Sequence, residues 1–246
     1  MNILFPIAGQ GSRFIEAGID QPKPLVKVAG KSLLEHAIRT LNLEGQYIFV
    51  AMRYENEKYN QEIQETILNL KPDSIILTIS KPTEGSAQTC LLAEDCINND
   101  TPLLITNCDQ YLNWRSEDFI VHIQKENPDG CVSLYDHEDV VVGQPSKYAF
   151  VDLDSNGYAK KFEEKFAISK FSLNGIHYWR YGKDFVSSVK QMINDNVRVN
   201  GEFYFSPSYN YLIDQGKRIT TYHMSKDEYY SLGSPQEINK NKNNIK

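Results

Sequence analysis

The densest group of residues that could do chemistry lies near the start of the chain, in Gly9-Gln10-Gly11-Ser12-Arg13 and the following Pro22-Lys23-Pro24-Leu25. A glycine loop that directly follows a buried strand lets backbone N–H groups come close to a phosphate. Arg13 and Lys23 add two fixed positive charges to the same loop. The chemistry implied is the capture of a phosphorylated polyanion. The pattern is not that of a dinucleotide loop, which would place a third glycine where Phe14 stands, and the Walker spacing GxxxxGK[ST] is absent. The long stretch from Gly9 to Pro24 points the same way, since loops of this length inside compact domains are usually functional.

Something rigid must hold that loop, and the first half of the chain reads as alternating strands and helices. Asn2 to Ala8, Tyr47 to Met52, Ser74 to Ile79 and Leu103 to Thr106 are short apolar runs, predicted as strands. Between them, Leu33, Leu34, Ala37, Ile38 and Leu41 recur at helical spacing behind a Ser32/Glu35 capping box. Tyr59, Ile63, Ile67 and Leu70 mark a second helix, and Ala87, Cys90 and Leu91 a third. Strand and helix in alternation predict a parallel sheet covered on both faces. Ligands bind such sheets beyond the carboxyl ends of their strands, where Gly9–Lys23, Lys81–Ser86 and Asn107–Gln110 all fall. The second half reads as strands (131–135, 148–153, 158–163 and 172–179), then helices over 183–193 and 207–215, a mixed β extension closing a cleft.

Bulk properties remove several function classes. A net charge of −6 argues against a nucleic-acid binder, which needs a basic surface to displace counterions. No stretch approaches the roughly 20 apolar residues that span a bilayer, and Met1–Pro6 lacks the features of a signal peptide. Cys90, Cys96, Cys108 and Cys131 show no CxxC spacing, so reduced thiols and a cytoplasmic location are expected. His36, His122, His137, His177 and His223 form no metal-binding or catalytic pattern, and none is assigned to catalysis.

Taken together, GxG[ST]R followed by PKP and leucine resembles the signature of the sugar-phosphate nucleotidyltransferases, and later segments follow in that family's order over most of the chain. The resemblance implies an α/β fold: a Rossmann-like, mostly parallel sheet flanked by helices, with a smaller mixed β extension that binds the acceptor. Residues 1–238 would form one domain, 1–112 its nucleotide-binding half and 113–238 its acceptor-binding half. The Asn- and Lys-rich tail 239–246 is expected to be disordered. The implied reaction joins the α-phosphate of a nucleoside triphosphate to a small phosphorylated acceptor and releases pyrophosphate. Its product would serve a capsule or other surface polymer, and homo-oligomeric assembly is compatible with it.

Roles follow by the same resemblance. Arg13 would hold the β- and γ-phosphates and Lys23 the α-phosphate under attack. Ala8, Gly9, Gly11, Ser12, Ser80, Glu84, Gly85 and Ser86 would bind the nucleotide, with Gly85 packed on the base. Thymidylyl- and uridylyl-transferring relatives often carry Gln where Ser80 stands, which tilts the reading toward CTP and leaves GTP, UTP and dTTP open. Asp109 would bind Mg²⁺, a hard ion that needs few protein ligands. Asn210 is the expected second ligand, with Glu202 the other candidate, because the position expected to hold an aspartate falls near Ser208. Glu164 would orient the acceptor, Lys165 would bind its phosphate, and Asn174 and Gly175 would contact it. Hexose, heptose and polyol phosphates and phosphocholine remain open as acceptors. Two other readings compete: a GT-A glycosyltransferase, whose usual DxD is here Asn107-Cys108-Asp109, and a nucleotide-binding regulatory module, against which the surviving Arg13, Lys23 and Asp109 weigh.

Overall fold

A computed structural model describes residues 1–245. The chain opens with β1 (Asn2–Ile7), whose side chains alternate between the two faces of the sheet: Ile3, Phe5 and Ile7 enter one core cluster and Leu4 the other. A short α1 (Ser12–Ile15), a 3₁₀ turn at Lys23–Leu25 and the ribbon β2 (Lys27–Val28) and β3 (Lys31–Ser32) follow. Then come α2 (Leu33–Leu41), β4 (Gln46–Met52), α3 (Glu57–Leu70), β5 (Ile75–Ile79), α4 (Ser86–Leu91), α5 (Glu94–Ile97) and β6 (Leu103–Thr106). The Ser32 hydroxyl accepts a hydrogen bond from the Glu35 N–H at 3.1 Å, so the predicted cap of α2 forms.

Strands β6, β1, β4 and β5 are parallel neighbours in that order. The second half adds β7 (Gln110–Leu112), α6 (Ser116–Glu126), β8 (Gly130–Asp136), β9 (Pro145–Leu153), β10 (Ala159–Phe166) and β11 (Phe171–Trp179). It continues through α7 (Gly182–Asn194), α8 (Ser208–Asp214), β12 (Ile219–His223), β13 (Tyr229–Ser231) and α9 (Pro235–Asn241). Strand β11 joins the halves by pairing antiparallel with β6, so one sheet of nine strands runs through both. Helices α2, α3 and α6 supply one core cluster through residues such as Ile38, Ile67 and Phe119. Helices α4, α5, α7 and α8 supply the other through Cys90, Ile97, Phe185 and Leu212. This is the α/β architecture expected from the alternating pattern, with helices on both faces of the sheet.

The end of the chain departs from expectation. Residues 235–241 form α9 and Lys242–Asn244 a 3₁₀ turn, while Ile245 is buried beside Phe14, Val26, Val28, Leu33, Tyr111 and Leu232. The polar composition of 239–246 hides this, because a single isoleucine anchors the segment. Lys246, the last residue of that expected tail, lies outside the described residues. Strand β13 pairs with β7, and the Leu232 N–H donates to the Asp109 carbonyl at 2.8 Å. The C-terminal segment therefore straps the glycine loop, through Phe14, to the end of β6.

Leu232 is fully buried in that satellite cluster. Leu232→Ala is expected to cost about 2–5 kcal/mol, the usual range for a buried leucine. Urea denaturation checks this, and a loss under about 0.5 kcal/mol, the surface range, would show that the strap does not hold the fold.

Candidate functional site

The loop after β1 turns sharply at Gly11, whose φ of +67° leads into α1. A side chain there would also press on Lys23, since a β-carbon at Gly11 would stand 3.0 Å from Lys23 Cβ. The close approach sets Lys23 against the end of β6, and its Nζ donates to Asp109 Oδ2 at 2.6 Å. Both side chains are about one-fifth exposed. Burial alone would lower the lysine pKa and raise that of the aspartate, but mutual attraction outweighs burial in each case. Lys23 ends above its ordinary value and Asp109 below, so both are charged at neutral pH.

Beside this pair opens a cavity of about 300 Å³. Arg13, Ser86, Asp109, Glu164, Lys165, Asn174 and Gly175, all singled out in the sequence, line it. Two β-bulges explain how the acceptor half contributes. On a regular strand Glu164 and Lys165 would face opposite sides of the sheet. Lys165 instead has φ +59°, and the pairing of β10 with β9 slips between Glu164 and Phe166, so both side chains reach the cavity. Strand β11 slips against β8 between Leu173 and His177, which brings Leu173, Asn174, Gly175 and His177 into one wall. Glu164 is buried, and burial pushes its carboxyl up to about 7, although the Ser206 hydroxyl donates to it at 2.5 Å. Lys165 Nζ donates to the Tyr204 hydroxyl at 2.5 Å.

Ala8, Gly9, Gly11, Ser12, Ser80, Glu84 and Gly85 do not line this cavity. Ser80 is exposed just past β5, and the Glu84 carboxylate pairs with Arg198 at 3.2 Å. At Gly85 the expectation of packing on a base meets a different fact. A β-carbon there would lie 2.4 Å from the Phe203 carbonyl oxygen, and φ is +134°. The Glu84 carbonyl accepts from the Phe203 N–H at 2.7 Å, and the Phe203 carbonyl accepts from the Ala87 N–H at 2.9 Å. Glycine is required here by a backbone crossing on its side-chain face.

Asn210 is not free to bind a metal. Its Oδ1 accepts from the Phe162 N–H at 2.8 Å and its Nδ2 donates to the Phe162 carbonyl at 3.0 Å, which fastens α8 to β10. Glu202 accepts from the Tyr204 hydroxyl, and Ser208 is buried with its hydroxyl on the Phe205 carbonyl. The oxygen set that fits a hard ion lies elsewhere. A β-carbon on Gly233 would stand 2.8 Å from Asp109 Oδ2, 3.3 Å from Glu237 Oε2 and 3.4 Å from Arg13 Nη2, so glycine lets the strap pass close to two carboxylates and a guanidinium. Among the described residues no three His, Cys, Asp or Glu side chains cluster.

Lys147, His177, Ser231, Gly233 and Glu237 also form the cavity wall, although no sequence motif assigned them to it. Glu237 accepts from Lys147 Nζ at 2.7 Å and lies 4.0 Å from Arg13 Nη1. Burial works to raise its carboxyl, and Lys147 more than reverses that. The Ser234/Glu237 spacing before a helix was the legible signal: the Ser234 hydroxyl caps α9 by accepting from the Glu237 N–H at 3.3 Å. Trp114 and Trp179 serve packing, the first donating to the Thr40 carbonyl at 2.8 Å and the second stacked on Tyr209 at 4.5 Å.

Comparison with known proteins gives the site a context. The mannose-1-phosphate guanylyltransferase catalytic subunit beta of Danio rerio is 28% identical over 170 residues, 67% of this chain and 45% of that protein. The chain thus spans about half the length of the curated relatives it matches. Among solved structures, the nucleoside-diphosphate-sugar pyrophosphorylase from Vibrio cholerae RC9 superposes with a TM-score of 0.79 at 22% identity, covering 97% of this chain and 98% of that one. The inositol-1-phosphate CTP transferase from T. maritima gives a TM-score of 0.74 at 14% identity, over 99% and 94%. These two likenesses speak to the fold. The family model described as Nucleotidyl transferase matches residues 6–234, from within β1 to the cap of α9, and the chain belongs to that family.

Proposed function

We propose that this chain transfers a nucleotidyl group from a nucleoside triphosphate to a small phosphorylated acceptor, a sugar or polyol phosphate, and releases pyrophosphate. The observation that carries this reading is the convergence of Arg13 and Asp109, which face Glu164 and Lys165 across one cavity, with Lys23 held behind the wall on Asp109. An oxygen of the acceptor phosphate attacks the α-phosphorus, and the bond from that phosphorus to the bridging oxygen of the β-phosphate breaks. The attacking phosphate is largely dianionic at neutral pH, its second pKa being about 6. It needs no strong general base. The barrier is repulsion between anions and the charge that grows on pyrophosphate, and positioned cations answer both.

Lys23 is placed to hold the α-phosphate, and Arg13, half-exposed with its nearest carboxylate at 4.0 Å, to hold the leaving pyrophosphate. Lys165 takes the acceptor's phosphate and Glu164 orients its body. Mg²⁺ would be held by Asp109, with the Glu237 carboxylate as the nearest further oxygen ligand, and when bound it would neutralise phosphate charge. For the base, Ser80 in place of Gln supports CTP, whereas the curated relatives' names support GTP with mannose 1-phosphate. The product, an activated sugar or polyol, is the donor class that synthesis of a capsule or surface polymer consumes. The free thiols of Cys90, Cys96, Cys108 and Cys131 support a reducing, cytoplasmic setting.

Pyrophosphate production across a matrix of CTP, GTP, UTP and dTTP against sugar, polyol and choline phosphates tests the reaction. Release is expected only with both a triphosphate and an acceptor present, and release from no combination would overturn the proposal. Lys23→Ala should lower kcat by about 10²–10³-fold, the usual cost of a lost charge-stabilising contact, and weaken triphosphate binding far less. Equal losses in both would contradict the role given to Lys23.

Glu164 makes a separate prediction about stability. Its folded value of about 7 lies above its ordinary 4.5, so the folded chain keeps a proton that the unfolded chain has released. The penalty is absent below about pH 4.5, grows as pH rises and is complete above about pH 7. Glu164→Gln should therefore flatten the decline in stability across that window, by up to about 3 kcal/mol. Urea titrations at pH 4.5 and pH 8 check it, and an unchanged decline would contradict it.

A further inference from the structure

Most polar groups in the acceptor-side wall are already engaged. The Ser206 hydroxyl is given to Glu164, and Asn174 is bonded to Ser133 and to Met224 Sδ. His177 differs. It is 3% exposed and lines the cavity; its Nδ1 is sealed off with no hydrogen-bond partner, whereas its Nε2 is not sealed and has no side-chain partner among the described residues. Aromatic rings fix its plane: Phe205 meets it edge-on at 4.8 Å, and Tyr209 and Trp179 lie nearly parallel to it at 5.9 and 6.1 Å. Burial lowers its pKa to about 3, so the ring is neutral and carries one N–H and one lone pair. A buried polar atom left unpaired costs about 1–3 kcal/mol. Nδ1 bears that cost within the wall, and Nε2 is the nitrogen open to a partner from a ligand.

We propose that His177 is a specificity-determining residue that hydrogen-bonds an uncharged hydroxyl on the body of the acceptor. The inference rests on the nucleotidyl-transfer reading above and narrows its acceptor to hydroxyl-bearing molecules, sugar or polyol phosphates. A hydroxyl both donates and accepts, so it satisfies either tautomer of a neutral imidazole. The bulge in β11 sets His177 in the same wall as Asn174 and Gly175, the residues given to the acceptor. A neutral ring in that wall suits the acceptor's uncharged body better than its phosphate, which Lys165 takes.

The test compares wild type, His177→Phe and His177→Gln with mannose 1-phosphate, glucose 1-phosphate and their monodeoxy analogues, read by pyrophosphate release at saturating triphosphate. Phenylalanine keeps the ring packing and removes both nitrogens, while glutamine keeps a hydrogen-bonding group. The Phe variant is expected to raise the acceptor KM about tenfold or more, with the triphosphate KM unchanged and no fall in Tm. The loss should vanish for the deoxy analogue that lacks the matching hydroxyl, and the Gln variant should recover part of it. An unchanged acceptor KM in the Phe variant, or a loss equal for every deoxy analogue, would overturn the inference while leaving the reaction intact. Absence of release by wild type with every acceptor would overturn the reaction itself, and this inference with it.

Discussion

The ion pair between Lys23 and Asp109 ties together the parts of the site that come from distant sequence. One partner hangs on the long glycine loop after β1 and the other follows β6, yet Nζ and Oδ2 stand 2.6 Å apart. Neither charge would be stable in this half-buried position alone, because removing one partner of such a pair strands the other. Each holds the other ionised, and together they keep a cation and a carboxylate at the mouth of the parallel sheet. A phosphorylated ligand and a hard cation are the species whose charges match the two halves of that pair. In the free protein the pair serves as its own counter-ion.

Around it, the two halves of the chain use different devices to aim side chains at one space. The nucleotide half relies on strand ends, as parallel sheets do. The acceptor half relies on irregularity: a left-handed Lys165 and two slipped registers turn residues that would alternate across a strand into one lining. The C-terminal strap completes the enclosure. Through Leu232 and Ile245 it packs on Phe14, and through Gly233 and Glu237 it passes close to Asp109 and Arg13 and brings them a second carboxylate.

Much of this was legible in the residues themselves. Apolar runs revealed β1, β4 and β6, because a fully buried strand needs apolar side chains on both faces, the edge strand β5 is apolar though only partly buried, and Ser32 with Glu35 marked the start of α2. Arg13, Asp109, Glu164, Lys165, Asn174 and Gly175 were picked out before any coordinates and share one cavity. What stayed hidden depended on long-range contact. Asn210 looked like a free oxygen donor because nothing local shows that Phe162, far away in sequence, takes both ends of its amide. The crossing that makes glycine obligatory at position 85 was likewise invisible, because the backbone of Phe203 that passes it comes from another part of the chain. Three-residue strands such as β7 and β13 carry too few positions to show a period, and the buried Ile245 is invisible in a tail of Asn and Lys. His177 offered no motif, and only its packing reveals an unpaired nitrogen.

The central claim is that the Lys23–Asp109 pair is the resting form of a site for a triphosphate and its metal. The most direct measurement is a crystal structure of the chain with a non-hydrolysable triphosphate analogue and Mg²⁺. Lys23 Nζ is expected to leave Asp109 for the α-phosphate, with the phosphate chain running past Arg13. A triphosphate bound elsewhere, with the 2.6 Å contact intact, would contradict it.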